Sequence, residues 1–62
     1  MRRKLMRRIE RYLLQTRTAP TTFGRECARD PRLVFDMRLG REPRRNLRRR
    51  IEAYLDAHEV SR

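Results

Sequence analysis

Two stretches with the same spacing of hydrophobic residues, one near each end, constrain the fold of this chain most strongly. In both, hydrophobic residues recur at i, i+4, i+7 and i+8, and arginines lie between them. The residues are Leu5, Ile9, Tyr12 and Leu13 in the first stretch and Leu47, Ile51, Tyr54 and Leu55 in the second. Because this spacing follows one face of an α-helix, it predicts amphipathic helices over about residues 2–15 and 43–58. We expect these two helices to pack together as a scaffold.

The two stretches also share the residue order Leu-x-Arg-Arg-Ile-Glu-x-Tyr-Leu. An ancestral duplication is one explanation of this identity. We favour the other explanation, in which two helices of independent origin each needed an apolar stripe flanked by arginines.

The residues after the first helix carry the signals that begin a second one. Thr18 is placed to cap a new helix, because a threonine hydroxyl accepts a hydrogen bond from a free amide of the first turn. Pro20 fits in that first turn, where its missing amide hydrogen has no partner in any case. The second helix is therefore predicted over about residues 18–28.

The pair Asp30-Pro31 is the sharpest boundary in the sequence. Aspartate is favoured as the cap of a helix, and proline is favoured at its first position, so a third helix is predicted over about residues 31–39. Gly40 ends this helix, because glycine readily takes the left-handed conformation that closes a helix. Pro43 then begins the fourth helix.

A chain of 62 residues holds one small core, so the predicted fold is all-α, a single domain over residues 1–62 with about four helices. The sequence contains no Ser-His-Asp set, no His and carboxylate cluster at metal spacing and no glycine-rich phosphate loop. We therefore expect no enzymatic activity, no cofactor, no metal and no small-molecule effector. Cys27, the only cysteine, allows no internal disulfide and is expected to be a small buried residue.

Arginine dominates the charge of the chain. There are 18 Lys and Arg residues against 8 Asp and Glu residues, a net charge of +10, and Lys4 is the only lysine. Arginine guanidinium groups bind phosphates and guanine edges through two parallel hydrogen bonds, which favours nucleic acid as the partner. A solvated basic surface and an acidic protein partner are the alternatives.

The basic stretch at the start of the sequence contains no uninterrupted apolar run, because Glu10 and Arg11 fall inside it. We therefore expect a protein that is neither exported nor membrane-spanning, located in the cytoplasm with the nucleoid. An organelle presequence or a membrane-surface helix is the alternative interpretation.

The second and third predicted helices contain a recurring arrangement of small and apolar residues. In the second helix, a large apolar residue is followed directly by glycine, and another apolar residue lies three positions after that glycine. The third helix contains two apolar residues, and a glycine and a proline follow it. These positions are Phe23, Gly24, Cys27, Ala28, Val34, Met37, Gly40 and Pro43. They resemble the pattern of the Cro and lambda-repressor-like (XRE-type) family of helix-turn-helix DNA-binding proteins. The resemblance implies that helices two and three form the helix-turn-helix, that Gly24 permits their close approach, and that Val34 and Met37 are buried.

The chain departs from the family pattern in the turn between these helices. Ala28 stands where the family usually has glycine, and Arg29 stands where it has an apolar residue. Either Ala28 is strained, because a non-glycine residue rarely takes positive φ, or the turn is altered or longer. We favour the altered turn.

The resemblance implies that the third helix enters the major groove of DNA. By helical spacing its outer side presents Arg32, Phe35, Asp36 and Leu39. Arg32 is expected to bind guanine, and Asp36 either to orient Arg32 or to accept a hydrogen bond from cytosine. Phe35 is a thymine-methyl contact, a dimer contact or a core residue. At least two of the three consecutive apolar residues from Leu33 onwards are expected to be buried.

Contacts to the DNA phosphates are expected from the start of the second helix and from arginines around the motif. The candidates are Thr21, Thr22, Arg25, Arg29, Arg41, Arg44, Arg45 and Arg48. Their collective positive field is a stronger expectation than the role of any single arginine.

The expected function is a sequence-specific regulator of transcription that binds double-stranded DNA, a repressor acting as a homodimer, of bacterial or phage type. Two other classes stay open. One is a non-specific nucleoid-associated or RNA-binding protein, although Tyr12 and Tyr54 belong to the apolar stripes and leave no aromatic platform for base stacking. The other is a protein-interaction adaptor.

Overall fold

Four α-helices follow one another in the computed structural model, which describes residues 2–59 and, within these, the side chains from residue 4 onwards. They are α1 (Arg2–Thr16), α2 (Pro20–Ala28), α3 (Leu33–Arg38) and α4 (Arg45–His58). No strand is present among these residues. The predicted all-α fold with four helices is confirmed.

The start of α2 differs from the prediction, and Thr18 is not its cap. The cap is Ala19, in extended conformation with φ −69° and ψ 143°, and no side chain bonds the first turn. Thr18 instead helps to end α1, because its amide donates to the carbonyl of Leu13 at 3.1 Å while Arg17 is left-handed with φ 55°. This arrangement moves the first residue of α2 to Pro20.

Helix α3 is shorter than predicted, since it begins at Leu33 rather than at residue 31. Asp30 nevertheless organises its start. One carboxylate oxygen of Asp30 accepts a 3.1 Å hydrogen bond from the amide of Arg32, and the Asp30 carbonyl accepts one of 3.0 Å from the amide of Leu33. Gly40, with φ 115°, follows the helix in the left-handed region, as expected for the residue that ends it.

Helix α4 begins two residues after Pro43, and its cap is Arg44 in extended conformation. The amide of Arg48 donates a 2.7 Å hydrogen bond to the carbonyl of Arg44, so Pro43 lies before the helix and the predicted start at residue 43 is two residues early.

The core joins all four helices through one cluster of buried hydrophobic side chains. Its members are Leu5, Ile9, Tyr12, Leu13, Phe23, Cys27, Leu33, Val34, Met37, Ile51 and Leu55. Cys27 is buried as expected, and burial raises the pKa of its thiol.

Three aromatic rings connect α1, α2 and α4. The Phe23 ring lies 5.6 Å from the Tyr12 ring and 5.4 Å from the Tyr54 ring, centroid to centroid, and the two tyrosine rings lie 6.1 Å apart. Tilted and edge-to-face rings at these distances attract each other beyond the area that they bury. The predicted packing of α1 against α4 is confirmed by this contact and by the ion pairs of Arg8 with Asp56 and Glu59.

Candidate nucleic-acid interface

Helices α2 and α3 pack closely because Gly24 has no side chain. Gly24 is buried, and a β-carbon at this position would overlap the carbonyl oxygen of Asp30 and lie 3.2 Å from the β-carbon of Leu33. The amide of Asp30 also donates a 3.0 Å hydrogen bond to the Gly24 carbonyl. The geometry supports the interpretation of Gly24 as a packing glycine.

The turn after α2 places its left-handed residue at Arg29, with φ 56° and ψ 34°. Ala28 is still helical, so the expectation of strain at Ala28 is wrong and the altered turn is found instead. The Arg29 amide donates a 2.8 Å hydrogen bond to the carbonyl of Arg25. A helix end of this kind is usually occupied by glycine, and Arg29 occupies it here.

Helix α3 has one buried side and one exposed side. Val34 and Met37 are buried as predicted, and Leu33 is buried with them. The outer side exposes 42% of Phe35 and 87% of Leu39. Phe35 is thus not a core residue, and the expectation that two of the three apolar residues from Leu33 are buried is confirmed.

The polar groups on the outer side of α3 differ in their freedom to bind a partner. Arg32 is exposed, and its guanidinium forms no ion pair among the residues that the structure describes. Asp36 does not orient Arg32, which corrects that prediction. Its carboxylate lies 3.3 Å from Nη1 of Arg41.

Arg41 connects α3 to the turn that precedes it. Besides its contact with Asp36, its Nη1 donates a 2.8 Å hydrogen bond to the carboxylate of Asp30. This bond, with the smaller contribution of the Arg32 amide, holds the pKa of Asp30 below its usual value. Spacing along a helix gave no indication of the contact, because Arg41 lies beyond the helix end, where the chain turns back at Gly40.

The candidate phosphate contacts lie in α2, in the segments before and after α3, and at the start of α4. Thr21 and Thr22 lie in the first turn of α2 and are half-buried. Four arginines are exposed and form no ion pair in the described part of the chain: Arg25, Arg29, Arg44 and Arg45. The remaining two are engaged, Arg41 as above and Arg48 through Glu52, whose carboxylate lies 3.6 Å from the Arg48 Nε.

An ion pair that the sequence did not indicate links α3 to α1. Nε and Nη2 of Arg38 donate hydrogen bonds of 2.8 and 2.9 Å to the two carboxylate oxygens of Glu10. These bonds hold the pKa of Glu10 below its usual value. The same guanidinium lies 5.8 Å from the centre of the Phe35 ring, within the range of a cation–π interaction. Arg38 therefore links α3 to α1 and lies beside the Phe35 ring.

In comparisons with protein-family models, curated proteins and solved structures, no match to this chain was found. The resemblance to the Cro and lambda-repressor-like family therefore stays a prediction. Over residues 2–59, no helix has the length and apolar character needed to cross a membrane. In the same range, no group of three or more His, Cys, Asp and Glu side chains is placed to hold a metal ion.

Proposed function

We propose that this chain is a sequence-specific, double-stranded-DNA-binding regulator of transcription that places the outer side of α3 in the major groove. The observation that carries the proposal is that α3 is anchored on one side and open on the other. Leu33, Val34 and Met37 bury its inner side, whereas Arg32, the cap residue directly before the helix, is exposed with no ion pair in the described residues. The major groove of DNA admits an α-helix, and an arginine fork binds the O6 and N7 atoms of guanine.

The charges around α3 support the same proposal. Arg25 and Arg29 lie at the end of α2, and Arg44 and Arg45 lie at the start of α4, so exposed arginines flank the recognition helix in sequence on both sides. Contacts of this kind to phosphates position a protein on the duplex and supply affinity without sequence preference. Thr21, at the start of α2, adds a hydroxyl next to free helical amides.

One such unit contacts few base pairs, so we propose that it acts as a homodimer on a site with two-fold symmetry. We propose that it represses transcription, because a small protein bound at a promoter is enough to exclude polymerase. A place in the cytoplasm with the nucleoid is part of the same proposal.

Selection of binding sites from random duplex DNA tests this function. We expect a defined half-site, repeated with two-fold symmetry, and an affinity for it at least about 10³ times that for random duplex at the same salt concentration. Equal binding of selected and random duplexes, with a steep salt dependence, would identify a non-specific nucleic-acid-binding protein instead. Absence of DNA binding with retention of a protein partner would identify an adaptor.

A further inference from the structure

We propose that Phe35 and Leu39 form a surface for thymine methyl groups, so that each half-site contains thymine in addition to the guanine expected for Arg32. This inference rests on the proposed function and specifies the bases that it recognises. The described part of the chain exposes three large hydrophobic side chains, Leu14, Phe35 and Leu39, and two of them lie on the outer side of α3. Leu39, the cap residue after α3, lies four positions after Phe35, and its amide donates a 3.2 Å hydrogen bond to the Phe35 carbonyl, so the two residues lie on one side of the helix.

The Phe35 ring has a cationic neighbour on this surface. The Arg38 guanidinium lies 5.8 Å from the ring centre, and Arg38 donates two hydrogen bonds to Glu10 on α1. Contacts between exposed side chains are weak, so they bias the orientation of the ring without fixing it. The exposed ring is available for contact with another apolar group.

The outer side of α3 presents two exposed apolar side chains and one carboxylate. The carboxylate is that of Asp36, and one of its oxygens lies 3.3 Å from Nη1 of Arg41. A carboxylate accepts several hydrogen bonds, so this contact does not exclude cytosine, whose amino group faces the major groove. Guanine presents two acceptors that suit Arg32, and thymine presents a methyl group that suits Phe35 and Leu39.

A second copy of the chain fits this surface less well than DNA does. It would bring the exposed Arg32 of both copies into one interface, in a chain with a net charge of +10. Two apolar side chains also supply far less than the total of about 1,200 Å² that stable protein interfaces bury. The negative charge of DNA complements the arginines, and the thymine methyl groups complement the apolar side chains.

Replacement of thymine by deoxyuridine tests the inference, because it removes the methyl group alone. In the duplex obtained by selection, each thymine is replaced in turn and the dissociation constant is measured. We expect one or two positions per half-site at which the replacement weakens binding about fourfold, the change that burial of one methyl group gives. The Leu39→Ala or Phe35→Ala variant should then bind the thymine and deoxyuridine duplexes equally at the corresponding position.

Leu14→Ala is the matched control, because Leu14 is 81% exposed on α1 and its loss should leave the fourfold discrimination intact. Leu39 is more exposed still, so Leu39→Ala should keep the fold even if Phe35→Ala weakens it.

Three results would overturn the inference. Specific binding that no deoxyuridine replacement weakens would reject the thymine contact and leave the proposed regulator intact. Failure to select any sequence would reject both. Conversion of a dimer into a monomer by Leu39→Ala or Phe35→Ala without DNA, measured by sedimentation, would identify this surface as a protein interface.

Discussion

The carbonyl oxygen of Asp30 occupies the space in which a β-carbon on Gly24 would lie. The group that a β-carbon would meet is a backbone carbonyl and not a side chain. The backbone of Asp30 is also held by the 3.0 Å hydrogen bond from its amide to the Gly24 carbonyl. No side-chain rotation can therefore make room for a larger residue. The distance between α2 and the turn that leads to α3 depends on this glycine.

Gly24→Ala should lower the free energy of unfolding by about 1–3 kcal/mol, the cost of forcing an extra methyl group into a packed site. Helix propensity alone predicts the opposite, a gain of about 1 kcal/mol. Chemical denaturation followed by circular dichroism decides between the two. Ala53→Gly, at an exposed position of α4, isolates propensity and should cost about 1 kcal/mol. A more stable Gly24→Ala protein would show that α2 and α3 do not pack in this way.

Arg29→Gly should stabilise the fold by about 0.5–1 kcal/mol. The left-handed conformation at φ 56° costs an ordinary residue about 1–2 kcal/mol and costs glycine little. Part of this gain is lost, because glycine increases the conformational entropy of the unfolded chain. If Arg29 contacts a phosphate, the same variant should bind DNA more weakly.

Arg29→Ala is the matched control for this pair of effects. It removes the same charge and keeps a β-carbon, so it should weaken DNA binding equally without raising the thermal midpoint. Equal stability of the glycine and alanine variants would contradict the backbone argument.

Acid should destabilise the fold through its paired carboxylates. Hydrogen bonds from Arg38, Arg41 and Arg8 lower the pKa values of Glu10, Asp30 and Glu59, respectively. The pKa of each carboxylate is lower in the folded than in the unfolded protein. These pairs therefore stabilise the protein fully at pH values above the ordinary pKa of the carboxylate, which is 4.5 for Glu10. Their contribution is lost as the pH falls through the folded pKa.

Glu10→Gln tests this dependence at one pair. The variant should have a lower thermal midpoint than the unsubstituted protein at about pH 7, and the two midpoints should converge as the pH falls through the lowered pKa of Glu10. Glu52→Gln is the control, because the exposed pair with Arg48 is 3.6 Å long and contributes about 0.5 kcal/mol or less. A difference at Glu10 that persists in acid would point to packing and not to charge.

Arg32→Ala should weaken binding to the selected duplex by about tenfold to a hundredfold and leave the thermal midpoint unchanged, because the side chain is exposed. Arg32→Lys should also lose specificity, since lysine keeps the charge and lacks the fork. Arg11→Ala removes the same charge from α1 and should weaken selected and random duplexes alike. Equal effects of Arg32→Ala on both duplexes would remove Arg32 from the base contacts.

Much of the fold could be predicted from short-range patterns. The apolar spacing around Ile9 and Ile51 located α1 and α4 to within about two residues, which is the usual uncertainty of helix ends. The end of α2 at Ala28 is also as predicted. These helix positions depend on neighbours in sequence, where periodicity is informative. The close approach at Gly24 was implied by the resemblance to the Cro and lambda-repressor-like pattern, and not by periodicity.

The wrong predictions concern residues at which the chain enters or leaves a helix. Thr18 was expected as a cap, but the left-handed Arg17 made it part of the end of α1. Asp36 was assigned to Arg32 by the i, i+4 rule, whereas the turn at Gly40 brings in Arg41. No spacing rule applies to Glu10 and Arg38, which are 28 residues apart. The assigned DNA contacts stay predictions.

The long-range ion pairs of Arg8 have a consequence for the order of folding. Helices α2 and α3 meet across a short turn, whereas Arg8 bonds Asp56 and Glu59 at separations of 48 and 51 residues. Because the entropy cost of closing a loop rises with its length, the central helix pair can form before the two outer helices meet. Substitution of Arg8 should therefore accelerate unfolding and leave the folding rate almost unchanged.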